Sequence, residues 1–529
     1  MFIASCTPPE NREMIVERPG DAGKLRLPMK DSLRISLTTE PPTLDWHKGS
    51  DTVSNQILCN IMEGLMQYDL SDPQLRLKPG LAAKIESRDS ARIWVITLRD
   101  DVEWSDGVKL TPQHVIDGWK RLLSKETAAD SSYFLYPIKN AREYNRGAKD
   151  WKDVGVTISG ENQITVELTQ SMSYFPFVLT HHSTFPIRLD LVEKFGNRWT
   201  DPQNIVTLGP YRLTVWQHDK LVVLSRNENY YGAKHGDKPQ IQFIVARIIP
   251  EQSTELSLFA AAQLDSVHGL PSVELKRLRP TPEYREVPRL GTYYYGFNIH
   301  KAPMDRKLFR QAIARAVDRQ QIIKLLGGGE APITDWLPFG MIGYEADRGL
   351  SFNPELAREL VRKAGYKKPE DVPKIEISFN TRDDHQRIAE NVQAQLKTNL
   401  GIRVELKNEE WKVYLTSLKT DPAQIFRMGW QADYPDPHTF MSLLLSFSEN
   451  NYPRWKNTAY DELVLKAASL IDMNERLKLY SEAKQILLED EVPVLPLYSS
   501  VNQILVSGRV ENYPLNAMEI FAYKGARLK

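Results

Sequence analysis

Cysteine is nearly absent from this chain of 529 residues: only Cys6 and Cys59 occur, a scarcity that decides no cellular compartment. Long apolar runs are missing too. No stretch reaches the roughly 18 residues that a membrane-spanning helix needs. No sign of charge prevails: Lys plus Arg number 68, and so do Asp plus Glu. Without a segment that concentrates one sign, the basic face of a nucleic-acid binder is excluded. Catalytic signatures are absent as well: there is no HExxH, GxSxG, Walker loop or CxxC, and no GxGxxG with an acidic partner. Gly327-Gly328-Gly329 follows a helix instead of opening one, so it reads as a flexible exit. His181 and His182 are adjacent, so on an extended strand they would point to opposite faces and share no metal. Asp383-Asp384-His385 has no activated Ser or Cys nearby, and helix-capping acids explain it. No enzyme, metal or cofactor is therefore expected.

What is present is the composition of an ordinary soluble globule, 41% hydrophobic and 26% charged, with 11 Trp and 22 Tyr. A length several times the usual domain of about 100–150 residues predicts two or three lobes. Residues 7–30 are polar and broken by Pro and Gly, which predicts a flexible tether reaching about 27 Å. Alternating apolar residues predict strands from Ser32, at 94–98, 163–168, 221–224 and 241–245. One long helix is expected from Asp305 to Leu326, capped by Asp305, with Leu308, Phe309, Ala312, Ile313, Ala316 and Val317 on one face. Further helices are expected at 354–365, 384–399, 457–471 and 474–489, with Gly365 and Gly401 at C-terminal caps. Strands and helices mix throughout without internal repeat, so the class is α/β. Cys59, within Gln56-Ile57-Leu58-Cys59-Asn60-Ile61-Met62, reads as a small core side chain.

A set of short motifs runs in order along the chain. Met62-Glu63-Gly64-Leu65-Met66 is followed by Leu98–Gly107 with its Glu103-Trp104-Ser105-Asp106-Gly107, then Leu110-Thr111-Pro112 and Trp119-Lys120-Arg121. Phe195-Gly196-Asn197-Arg198-Trp199-Thr200, Leu208-Gly209-Pro210-Tyr211 and Arg226-Asn227-Glu228-Asn229-Tyr230 come next. Thr292-Tyr293-Tyr294-Tyr295, Asn298, Ala316-Val317-Asp318-Arg319 and Gly429-Trp430-Gln431-Ala432-Asp433-Tyr434-Pro435-Asp436-Pro437 complete the set. In this order and spacing, over about 32–529, they resemble the extracellular oligopeptide-binding proteins of ABC transporters, solute-binding family 5. The resemblance implies a three-domain fold of the periplasmic-binding-protein type, with ligand enclosed between two hinged lobes. Residues 1–30 would be a signal remnant and tether. Domain I would take 31–61, 186–290 and 500–529, domain II 62–185, and domain III 291–499. Ile3-Ala4-Ser5-Cys6 looks like a lipoprotein signal, although five residues cannot hold its charged start and apolar stretch. Cys6 would then be acylated, anchoring a periplasmic or cell-surface lipoprotein. With Cys6 lipidated and Cys59 buried, no disulfide is expected.

The same resemblance assigns the binding residues. Asp433 matches an aspartate that pairs with the peptide α-ammonium. Gly429, Trp430, His268 and Gly269 fall where backbone groups receive the ligand as an added strand, which gives affinity without reading side chains. Tyr133 matches a ligand-contacting tyrosine, and Ser50-Asp51 falls near another contact. Arg427 and His385 match basic groups facing the peptide's carboxyl end. The run Tyr293–Tyr295 reads as strand core, although Tyr294 could line a pocket. Several positions depart from the pattern. Gly291 and Gln431 stand where relatives can carry a bridging cysteine pair, Gly296 where a glutamate can lie, and Leu418 replaces an arginine near the carboxyl end. The expected function is a monomeric receptor that captures dipeptides to pentapeptides and delivers them to a permease, without nucleic acid. Rival readings are a murein tripeptide receptor, a receptor for a non-peptide such as a nickel chelate or a sugar, and a peptide hydrolase. The last lacks a nucleophile or metal.

Overall fold

Leu33, Ile35 and Leu37 alternate within the strand Ser32–Leu37, which pairs in parallel with Phe243–Ile248. The computed structural model describes residues 13–18, 23–49, 51–271, 274–448 and 450–529. The chain divides into two units, Met1–Glu286 with Gln503–Lys529, and Val287–Asn502.

In the first unit a four-stranded sheet runs in the order Tyr211–Gln217, Leu221–Arg226, Phe243–Ile248, Ser32–Leu37. Every residue of Ser32–Leu37 is buried, Arg34 included. That charge is tolerated because Asp265 receives Arg34 Nε at 3.0 Å and Nη2 at 2.5 Å, a bidentate pair. Arg509 reaches the same carboxylate at 3.3 Å from the far end of the chain. The C-terminal segment is also fastened by Tyr523, whose N–H donates to Asn60 Oδ1 at 2.8 Å, and by Lys524 Nζ, 2.9 Å from Glu63 Oε1. A second, antiparallel sheet of the same unit orders Ala82–Arg88, Ile93–Leu98, Gln163–Glu167 and Val156–Gly160.

The tether reading of 7–30 is corrected for its described part. Glu13–Glu17 and Lys24–Pro28 form an antiparallel hairpin. Its Val16, Leu25 and Leu27 pack with Val215, Val223 and Val245 of the first sheet. Their alternation is a strand signal that the flanking Pro and Gly obscured.

In the second unit Ile425–Gln431 lies between an antiparallel neighbour, Tyr284–Phe297, and a parallel one, Ile375–Asn380, which in turn pairs with Val404–Glu409. The core beneath joins Tyr295, Phe297, Ile377 and Val392, all fully buried, with Phe309 and Ile313. The single helix expected over 305–326 is two helices, Lys307–Ala316 and Arg319–Leu326. Arg306, not Asp305, stands at the first N-cap. The 3.6-residue period carries through, but Val317 turns extended and Asp318 caps the second helix by accepting from Gln320 N at 2.9 Å. Gly327 closes that helix at φ +67°, as its exit position suggested, and Gly401 closes Asp383–Leu400 at φ +73°.

Candidate ligand-binding site

The antiparallel register sets Arg427 opposite Tyr295, Gly429 opposite Tyr293, Trp430 opposite Thr292 and Gln431 opposite Gly291. Because side chains alternate along a strand, Arg427 and Gly429 share one face. Gly429 has no side chain to occupy that face, and the Arg427 guanidinium lies along it, 4.6 Å from the centroid of the Tyr293 ring. Tyr293 stacks on Tyr498 at 4.7 Å and stands 5.7 Å from His385. His385 is 2% exposed, and its Nδ1 lies 3.2 Å from the Asn380 carbonyl. Burial first, and Arg427 second, push its imidazole down to about 4, so it is neutral at pH 7. Arg427 Nη1 donates to Asn380 Oδ1 at 3.3 Å. Its Nε is buried with no hydrogen-bond partner among the described residues. An unpaired buried donor beside a neutral histidine suits an incoming carboxylate.

Beyond the strand, Asp433 is half-buried and no cation pairs with it among the described residues. Burial pushes its carboxyl up to about 6, and the Thr439 hydroxyl pulls back only part of that rise. The Asp433 N–H donates to Thr439 Oγ1 at 3.2 Å. Trp430 Nε1 donates to the same oxygen at 3.4 Å. The structure thus gathers Arg427, Gly429, Trp430, Asp433 and His385 around one strand of the second unit. Tyr294 is 2% exposed and packs edge-on to Trp336 at 4.8 Å, in the core and not at an opening.

The remaining candidates lie in the first unit. Tyr133, 49% exposed, stacks on Phe134 at 4.5 Å, and Phe134 on His181 at 4.1 Å. His181 and His182 are 4.2 Å apart with rings inclined at 33°, so they do not take opposite faces. His181 caps a 3-10 turn, His182–Thr184, where strand alternation does not apply. His182 Nε2 reaches the Gly49 carbonyl at 2.9 Å, which brings the Tyr133 ladder to the residues before Asp51. Asp51 itself caps the helix Thr52–Ile61, accepting from Ser54 N at 2.8 Å. His268 forms a strand with Ser266 and Val267. Its half-buried ring lies between Tyr513, at 2.9 Å from Nε2, and Phe521. Gly269, at φ +64°, accepts from Gln252 Nε2 at 2.5 Å through its carbonyl. Ser50 and Cys6 lie outside the described residues.

The family described as bacterial extracellular solute-binding proteins, family 5, matches residues 76–452 of this chain. The chain belongs to that family. Family 5 proteins similar to it include the oligopeptide-binding protein OppA of Bacillus subtilis, 32% identical, covering 88% of this chain and 87% of that protein. The periplasmic murein peptide-binding protein MppA of Escherichia coli is 30% identical over 93% and 92% of the two chains. Among solved structures, an unliganded open form of the murein tripeptide-binding protein MppA superposes with a TM-score of 0.83 at 28% identity, covering 98% of each chain. These family members are binding proteins.

In this family member Gly291 and Gln431 are register partners, and a Cβ at 291 would meet Gln431 Oε1 at 2.7 Å. A side chain at 291 would therefore require the end of Gln431 to turn aside. Leu418 is 1% exposed, so no side-chain charge stands there. Thr439 escaped the sequence reading, since nothing in Pro437-His438-Thr439 marks its hydroxyl as shared by two residues upstream.

Proposed function

We propose that this protein is the extracytoplasmic receptor of a peptide ABC transporter, capturing short oligopeptides by their α-ammonium and backbone and delivering them to a permease. The observation that carries this reading is Asp433, a half-buried carboxylate with no cation beside it among the described residues and its titration raised to about 6. A ligand ammonium would supply the missing charge. Gly429 and Trp430 would offer backbone groups. In the other unit the backbone at His268–Gly269 and the Tyr133 ring are proposed as further contacts. Arg427 and His385 would face the peptide's carboxyl end.

A murein tripeptide is the second reading, favoured by the apolar, buried Leu418 where an arginine would favour a C-terminal carboxylate. We further propose that the protein binds without cleaving, works as a monomer, and is held at a membrane through Cys6. No helix among the described residues is long and apolar enough to cross a membrane. The domain proposed at 62–185 is supported by the separate four-stranded sheet found there, and the one at 291–499 by the compact unit Val287–Asn502.

Calorimetry with one tripeptide, free and N-acetylated, tests the reading. Wild type should bind the free form and reject the acetylated one, and mass spectrometry should recover the peptide intact. Equal affinity for both forms would sink the assignment of Asp433.

A further inference from the structure

Thr439 is 2% exposed, on the short helix His438–Met441. A hydroxyl has one proton to give and two lone pairs to accept with. Both lone pairs of Thr439 Oγ1 face groups that can only donate: the Trp430 indole N–H at 3.4 Å and the Asp433 backbone N–H at 3.2 Å. Its one proton is thereby directed at Asp433 Oδ2, 3.5 Å away. A hydroxyl committed in this way cannot turn to accept from a protonated Asp433, so it favours the carboxylate. All three bonds are long, and they leave room to tighten when a cation fixes the carboxylate.

We propose that Thr439 is the positioning residue of the ammonium site, orienting the Asp433 carboxylate and the Trp430 indole as one unit and so selecting ligands with a free α-ammonium. The proposal rests on Asp433 as the ammonium partner. Thr439 acts through those two residues. Other ionisable groups of this stretch are engaged elsewhere. Asp436 takes Arg476 in both oxygens at 2.6 and 2.7 Å, His438 Nδ1 lies 3.2 Å from the Tyr480 hydroxyl, and Arg427 covers Tyr293. Burial and the Thr439 hydroxyl are accordingly the influences that set Asp433's titration.

The test compares wild type, Thr439→Val and Thr439→Ser by calorimetry with the free and acetylated tripeptide between pH 4.5 and 8. Thr439→Val keeps the volume and removes the hydroxyl. It should lose about tenfold or more in affinity for the free peptide, the worth of one bond to a charged group. Thr439→Ser should stay near wild type. The pH midpoint of binding should also rise in Thr439→Val, because the lost bond is the one that lowers Asp433. If Thr439→Val does not fold, Thr439→Ala is judged by the same two readouts. Wild-type affinity and an unchanged midpoint in the hydroxyl-less variant overturn the proposal, as does a Ser variant as weak as Val. Wild type failing to discriminate the acetylated peptide overturns the Asp433 reading itself, a separate outcome.

Discussion

The guanidinium of Arg427 lies 4.6 Å from the centre of the Tyr293 ring, with its Nε buried and without a partner among the described residues. A cation over an aromatic face away from water gains about 1–2 kcal/mol, which holds it in place before ligand arrives.

Arg427→Gln should therefore weaken peptides with a free carboxyl end by about 10- to 150-fold, the range of one charge-assisted bond. C-amidated peptides should change little. Tyr293→Leu should show the same preference at smaller size. Calorimetry on the matched peptide pair checks this, and equal losses for both peptides would place Arg427 in the scaffold.

Affinity should depend on pH through Asp433. Its carboxyl titrates at about 6 in the empty protein, and a bound ammonium favours the charged form, so binding releases a proton below that value. Affinity should be level above pH 6 and fall up to tenfold per unit below it. Asp433→Asn should abolish the slope and cost roughly 2–5 kcal/mol at neutral pH.

Seven histidines bear on stability. Burial pushes His47, His268, His385 and His438 down to about 4, and it also lowers His114, His181 and His182. Unfolded, each titrates near 6.5, so the unfolded chain binds more protons between about pH 6.5 and 4. The stability they contribute is full above pH 6.5 and is lost as pH falls towards 4. Asp433, Glu255 and Asp335, whose carboxyls burial raises, work the other way, but they are three groups against seven. Denaturant midpoints measured down that range should fall, and His438→Asn should flatten the decline. A midpoint constant to pH 4 would contradict this account.

Lys484 is 1% exposed, with Asp335 Oδ2 at 2.7 Å, Glu345 Oε1 at 3.0 Å and the Gly343 carbonyl at 2.8 Å. Lys484→Met should destabilise by about 3–5 kcal/mol, because Asp335 is left buried without its counter-ion. Adding Asp335→Leu should recover part of the loss. Urea unfolding of both variants reads this directly.

Leu27 is fully buried beneath the N-terminal hairpin. Leu27→Ala should cost about 2–5 kcal/mol. A flexible tether would show no change in the unfolding midpoint.

Local patterns carried well where period and burial agree. Asp383–Leu400 follows from its spacing because it buries the face its apolar residues define, and Ser32–Leu37 from the alternation of Leu33, Ile35 and Leu37, although its other face is buried as well. The break at Val317-Asp318 was hidden, since two helices on one core preserve a single period. Asp433 and Arg427 were legible through the motif around Trp430, whereas the Tyr293–Arg427 contact depends on register between strands far apart in sequence. The Tyr133–Phe134–His181 ladder was equally hidden, because nothing in the sequence marks the 3-10 turn that sets His181 against Phe134. Tyr294 follows the strand-core reading of its run and not the pocket alternative, because its neighbour Trp336 claims the ring.

The fastening of the C-terminal segment to Asn60, Glu63 and Asp265 bears on the order in which the chain can mature. A ribosome adds about 5–20 residues per second, so the stretch Val287–Asn502 takes roughly 10–40 s to emerge. Through that interval the first unit lacks Arg509, Tyr523 and Lys524, and Asp265 has only Arg34. Residues made only after the second unit are thus the latch of the first.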